Sequence, residues 1–236
     1  MGALDWDHNA YYHRLLLRQL PSHCERVLEV GCGAGALATE LAVRADRVDA
    51  FDRAPEMIAA ARQVVPANVT CTDADILEYE LPAAAYDAVV SLTVLHHMPL
   101  DEVLPRLERA LRPGGVLAVI ALPRADPARE WPAEIAAALG HRVFGAAFAA
   151  LRATNTAALR ATNTATLRAT NTAAAGPTAW FGHEPTHADM PMVLDPPLTT
   201  RDVARCAAAV LPGARVRRLV FWRYLLLWRK PSLSSR

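Results

Sequence analysis

The 236-residue chain carries 25 Lys and Arg against 24 Asp and Glu, a formal net charge of +1, with 53% hydrophobic and 21% charged residues. That balance fits one globular domain, since a single core serves chains of up to ~250 residues, and it excludes the positive field that gathers nucleic acid. Cys24, Cys32, Cys71 and Cys206 lack C-x-x-C spacing, which excludes a zinc frame and reads as reduced thiols of a cytoplasmic protein.

In chain order, the first residues carry Asp5 and Asp7 and offer no apolar leader core, and no apolar run approaches the ~20 residues of a membrane helix. Residues 26–30 are short, β-branched at two positions and end at a glycine cluster, the pattern of a first strand. Residues 37–44 have helical spacing, and 47–51 form a second strand ending at Asp52. Pro55 opens a helix to about residue 65, a position that suits proline. A short third strand covers 69–71, and a fourth covers 88–92 after Tyr86-Asp87. Residues 99–111 are helical, with Pro113-Gly114-Gly115 as the expected stop, and 116–122 form a fifth strand. This alternation predicts an α/β fold with a parallel sheet.

The regularity breaks between about 123 and 198. Leu151-Arg152-Ala153-Thr154-Asn155-Thr156 recurs from Leu159 and from Leu167, an octapeptide repeat over 151–174. Its period is too short for a solenoid, and its Thr and Asn compete poorly for helix, so it reads as an expanded surface loop or helix extension without chemistry. At Thr199 a capping residue precedes an amphipathic run over 203–211, ended by Pro212-Gly213. Residues 216–221 and 224–228 then read as two strands joined by a tight turn, an antiparallel hairpin closing one side of the sheet.

Chemistry concentrates in Glu29-Val30-Gly31-Cys32-Gly33-Ala34-Gly35, where a strand turns into a helix. Glycines there admit positive φ and let a ligand approach the backbone. Gly31-x-Gly33-x-x-Ala36 also fits a dinucleotide fingerprint, so the glycines alone leave an NAD-dependent oxidoreductase open. Glu29 separates the two readings: a carboxylate beside the glycine turn repels a pyrophosphate but suits a ligand with an ammonium and a sulfonium. Asp52 stands where an acid meets ribose hydroxyls in either case.

With Tyr86-Asp87-Ala88-Val89-Val90 and Leu111-Arg112-Pro113-Gly114-Gly115 following in order, the chain resembles the class I S-adenosylmethionine (SAM)-dependent methyltransferases, in particular the small-molecule group that includes the ubiquinone- and menaquinone-biosynthesis enzymes. The resemblance covers residues 26–122 and about 199–230. It implies a Rossmann-like seven-stranded sheet, mostly parallel with the last strand antiparallel, helices on both faces, and an insertion over 123–198 in a single domain capped by residues 1–25. It implies that Glu29 and the backbone of Gly31 and Gly33 hold the methionine end of SAM, with Gly35 also a cofactor-binding residue of that motif, that Asp52 takes the ribose and that Arg53 lines the adenine pocket. An acid after strand three reads the adenine amine, with Asp75, followed by Ile76, preferred over Asp73. Leu95-His96-His97 matches the family's Leu-His element facing cofactor and substrate. His96 is therefore the candidate base if a hydroxyl is methylated, with His97 expected to point elsewhere if the strand alternation continues. Tyr11 or Tyr12, in the aromatic segment around residues 6–13, either covers the sulfonium or packs on the sheet.

Three other patterns are set aside. His183-Glu184-Pro185-Thr186-His187 spells a zinc-hydrolase string, but Pro185 breaks the helix it needs, so no metal is expected. Asp195-Pro196-Pro197-Leu198 resembles a nucleic-acid amine-methylation motif but does not follow strand four and lacks its aromatic. Arg215, Arg217, Arg218, Arg223 and Arg229 fall in the edge hairpin, where charge blocks strand pairing. Trp131, Phe144, Phe148, Trp180 and Phe181 can build an apolar pocket in the insertion, which favours a small organic acceptor over nucleic acid or membrane. A SAM-binding module without catalysis remains the other alternative.

Overall fold

The computed structural model of the chain describes residues 8–126, 139–140, 142–143, 146–147 and 196–232. The octapeptide repeat, the His183–His187 string, Trp6 and the aromatics Trp131, Phe144, Phe148, Trp180 and Phe181 lie outside the described residues.

Strands β1 (Cys24–Val30), β2 (Ala45–Asp52), β3 (Val69–Asp73), β4 (Tyr86–Leu92), β5 (Leu111–Ala121), β6 (Arg215–Leu219) and β7 (Arg223–Arg229) form one sheet in the order β3-β2-β1-β4-β5-β7-β6. All neighbours from β3 to β5 are parallel, and β7 runs antiparallel to both β5 and β6. This is the expected sheet, with its last strand reversed and inserted inside the edge strand β6. The central strands are apolar on both faces because helices cover both. Val27, Val90 and Ala118 meet α1 (His8–Leu17), α2 (Ala36–Leu41) and α3 (Pro55–Val64) on one side. Leu28, Val89 and Leu117 meet α4 (Leu100–Ala110) and α5 (Thr200–Val210) on the other.

The chain runs outward from β1 to β3 and then crosses back to β4 on the other side of β1. At that reversal the connections leave in opposite directions, so a crevice opens at the carboxyl ends of β1 and β4. Tyr86-Asp87, a motif at the start of β4, serves the sheet itself. The Tyr86 hydroxyl donates to Asp49 Oδ2 at 2.9 Å, and Asp87 Oδ2 accepts from the Arg26 amide at 2.9 Å.

Two local expectations change. Pro113-Gly114-Gly115 does not stop a helix, because α4 already ends at Ala110 and Leu111 is extended. Tyr86 pairs with Leu111 and Ala88 with Val116, so residues 112–115 are an excursion within β5. Gly114 and Gly115 exchange backbone hydrogen bonds with Lys230, which ties the excursion to the chain after β7. The second change is Arg223, which is not a solvated edge charge but is 8% exposed. It donates to Phe221 O at 3.1 Å and to Asn9 Oδ1 at 3.3 Å.

The β6–β7 turn places Phe221 and Trp222 at φ of 53° and 57°, a conformation that costs bulky residues energy. Phe221 packs edge-on to Tyr11 with centroids 5.5 Å apart, and the Tyr12 hydroxyl donates to Val220 O. Helix α1 is thus clamped to the turn.

Helix α5 begins with a full capping box: the Thr199 hydroxyl accepts from the Asp202 amide at 3.2 Å and the Asp202 carboxylate accepts from the Thr199 amide at 3.1 Å. Thr199→Ala is expected to remove about 1 kcal/mol and to lower the thermal midpoint by ~2–4 °C for a domain of this size. A melt superimposable on wild type would show the cap to be idle.

Candidate functional site

The cleft at the carboxyl ends of the strands is built from four consecutive turns. The first follows β1. Gly31 has φ of 79°, and a Cβ there would meet Val94 Cγ2 at 2.1 Å, so only glycine fits. The amides of Gly31 and Cys32 donate to Phe51 O at 2.8 and 2.9 Å, which locks this turn to the end of β2. Gly33 donates its amide to Asp52 Oδ2 at 2.9 Å. Gly35 opens α2, and a Cβ there would meet Val65 and Ala61. It serves the close packing of α2 on α3, and it does not line the cleft.

Glu29 is buried at the end of β1, 1% exposed, and its Oε2 has no hydrogen-bond partner among the described residues. Burial, and secondarily the Asp52 carboxylate, push its pKa up to about 8. Burial likewise raises the thiols of Cys32 and Cys71 nearby.

The second turn follows β2. Asp52 lines the cleft with both oxygens fixed, Oδ2 by Gly33 and Oδ1 by the Ala54 amide at 3.0 Å. Arg53 lines the cleft beside it and is exposed. The third turn follows β3, where Asp75 and Ile76 face the cleft while Asp73 stays exposed at the strand end. Asp75 Oδ1 accepts from the Leu77 amide at 2.8 Å, and Ile76 is buried.

The fourth turn follows β4 and carries the main surprise. Thr93, a β-branched residue, sits at φ of 63°, where strain persists only if its surroundings impose it. Its amide donates to Ile120 O at 2.6 Å and its hydroxyl to Asn9 Oδ1 at 2.9 Å, so α1 and β5 hold it. The chain then enters a 3₁₀ turn over Leu95–His97 instead of continuing as a strand. Alternation no longer applies, and the rings of His96 and His97 lie together with centroids 4.1 Å apart. His97 lines the cleft, whereas His96 faces a second cavity and is 8% exposed. Burial, then His97 and Arg223, lower the His96 pKa to about 3, and burial, then Arg53, lowers that of His97.

The second cavity has a volume of about 700 Å³. Its walls are His96, His97 and Arg53, the first residues of α4, and an apolar side made by Pro197, Leu198 and Cys206. Arg53, His97 and Met98 line both spaces, so cleft and cavity share a wall. Tyr11 and Tyr12 do not line either; they pack on the β6–β7 turn, the sheet-packing alternative. Among the described residues no group of three acids, histidines or cysteines is placed to hold a metal, and no helix is long and apolar enough to cross a membrane.

The methyltransferase-domain family matches residues 27–115, which hold all four turns. An uncharacterised methyltransferase of Mycobacterium tuberculosis is 32% identical over 233 residues, covering 96% of this chain and 98% of that one. The chain belongs to the class I SAM-dependent methyltransferases. A ubiquinone-biosynthesis O-methyltransferase of Chromobacterium violaceum is 35% identical over 97 residues, covering 39% of this methyltransferase and 41% of that one. The crystal structure of the N-methyltransferase NodS from Bradyrhizobium japonicum shares the fold over 94% of this chain and 96% of its own, with a TM-score of 0.53 at 17% identity. The methyltransferase reading displaces both the oxidoreductase and the non-catalytic module.

The groups at the cleft suit a ligand with a cation and a diol: Glu29, buried behind the lining, has an oxygen without a hydrogen-bond partner among the described residues, and Asp52 presents a fixed carboxylate to the cleft. Sequence reasoning missed His97, Thr93 and Val94 as cleft walls. Only the Leu-His element pointed to that stretch, and its strand-to-3₁₀ switch has no sequence mark comparable to a glycine or proline.

Proposed function

We propose that this methyltransferase moves the SAM methyl group to a small organic acceptor seated in the second cavity, leaving S-adenosylhomocysteine (SAH). The observation that carries the reading is the wall of Arg53, His97 and Met98 common to cleft and cavity. A methyl transfer in line needs donor and acceptor in adjoining compartments, and proximity of that kind supplies much of the rate. A volume near 700 Å³ suits a small molecule.

In this reading Glu29 pairs with the donor's ammonium and Gly31 lets the ligand lie against the backbone. Gly33 orients Asp52 for the ribose hydroxyls, a charge-assisted contact. Asp75 and Ile76 flank the adenine with Arg53 nearby, and Gly35 acts through the packing of α2. When bound, the donor supplies an electrophilic methyl carbon. The chain's own groups bind, orient and exclude water. His96 stays on the acceptor side, where a neutral imidazole is suited to hydrogen bonding rather than to storing a proton. Residues 1–25 remain the expected cap and 123–198 the acceptor-side insertion; the last residues of that insertion, Pro197 and Leu198, lie in the cavity wall.

SAH titrated calorimetrically should bind at micromolar affinity while NAD gives no heat, and SAH should accumulate when SAM is offered with small acceptors. Binding of NAD in place of SAH would overturn the assignment of the cleft. Turnover on protein or nucleic acid alone would overturn the small acceptor.

A further inference from the structure

The second cavity is chemically lopsided. One side is apolar, made by Pro197, Leu198 and Cys206. The other gathers groups that favour negative charge. Arg53 is exposed there, with no ion-pair partner among the described residues. His96 lines the cavity and is 8% exposed, and its Nδ1 is buried without a hydrogen-bond partner among the described residues. Helix α4, 11 residues long, opens into the cavity through Pro99, Leu100 and Asp101, and Pro99 at its N-cap has no side chain to cap it. The helix N-terminus adds a positive partial charge, offset in part by Asp101 and Glu102 in its first turn.

Building on the cofactor site proposed above, we propose that the methyl acceptor is an apolar monocarboxylic acid, anchored by its carboxylate between Arg53, the His96–His97 pair and the N-terminus of α4. The apolar body lies along Pro197, Leu198 and Cys206. Asp101, exposed on the same wall, adds a negative charge that disfavours a ligand carrying a second carboxylate. Burial keeps His96 neutral, so it offers the anion a hydrogen bond.

The test uses octanoate and phenylacetate with their matching alcohols and amines, titrated into the full chain saturated with SAH. Each acid should bind at least about tenfold tighter than its alcohol, the worth of one charge-assisted hydrogen bond, and the amines should bind weakest. At SAH saturation, Arg53→Gln should weaken the acids at least about tenfold more than the alcohols, and His96→Phe should likewise weaken the acids more than the alcohols. SAH is titrated first into every variant to set saturation, and circular dichroism reports folding. No SAH binding to wild type would sink the cofactor-site reading. SAH binding with no binding of either acid, with acid and alcohol equal, or with equal losses of both in Arg53→Gln, would overturn the carboxylate anchor.

Discussion

Asp52→Ala is expected to weaken SAH binding about a hundredfold. Two charge-assisted hydrogen bonds to ribose hydroxyls are lost, each worth about 1.5 kcal/mol or more, and ~3 kcal/mol is about two decades in affinity. The substitution has a second cost. Asp52 Oδ2 accepts the Gly33 amide and Oδ1 the Ala54 amide, so the carboxylate also shapes the turns on either side of the cleft. Asp52→Asn keeps one acceptor oxygen and should fall between wild type and alanine. Calorimetric titration of SAH into the three proteins, with circular dichroism to confirm folding, reads the series. Equal affinity in wild type and Asp52→Ala would remove Asp52 from the ribose contact.

The positions legible in the sequence are those where a backbone demand selects one residue type. Gly31 is demanded by Val94, which leaves no room for a Cβ. Asp52 is the carboxylate that closes β2 directly after the buried Ala50-Phe51, and Thr199 with Asp202 spells a capping box. The two-sided burial of β5 is legible in its unbroken apolar run over 116–121, and that of β1 and β4 in the shorter apolar stretches Val27-Leu28 and Ala88-Val89-Val90. What escaped depends on tertiary placement. His96 and His97 fall in a 3₁₀ turn set by the strained Thr93, which is held by Asn9 from the far end of the chain. Arg223 reads as an edge charge until β7 is seen inside β6, where Asn9 and the carbonyl of Phe221 receive it. Gly35 stands in the glycine motif beside Gly31, and its missing Cβ makes room for α3, a packing demand that the motif alone does not show. Pro197 and Leu198 belong to a motif set aside for its place in the chain and its missing aromatic, and they reach the second cavity as plain apolar wall.

Glu29→Gln is expected to abolish a pH dependence that wild type should display in both stability and donor binding. Glu29 has a folded pKa near 8 against an ordinary value of 4.5, raised by burial and then by Asp52. Besides Asp52 at the end of β2, the titratable groups around it are Cys32 on the following turn and Cys71 on β3, whose thiols stay neutral. Between the two pKa values the folded chain keeps a proton that the unfolded chain has released, so stability is fullest below about 4.5 and falls as pH rises toward 8. Gln cannot ionise, so the variant should lose that slope and melt higher than wild type at about pH 8. Binding runs the other way. An ammonium beside Glu29 favours its carboxylate, so the donor must displace the proton, and affinity should climb up to about tenfold per pH unit between roughly pH 6 and 8. Glu29→Gln should bind weakly and evenly across that range. SAH titrations in two buffers of different ionisation enthalpy count the proton directly. Close to one proton should leave wild type on binding below about pH 7, and none should leave the variant. Wild-type affinity that stays flat with pH, with no proton released, would place the ammonium away from Glu29.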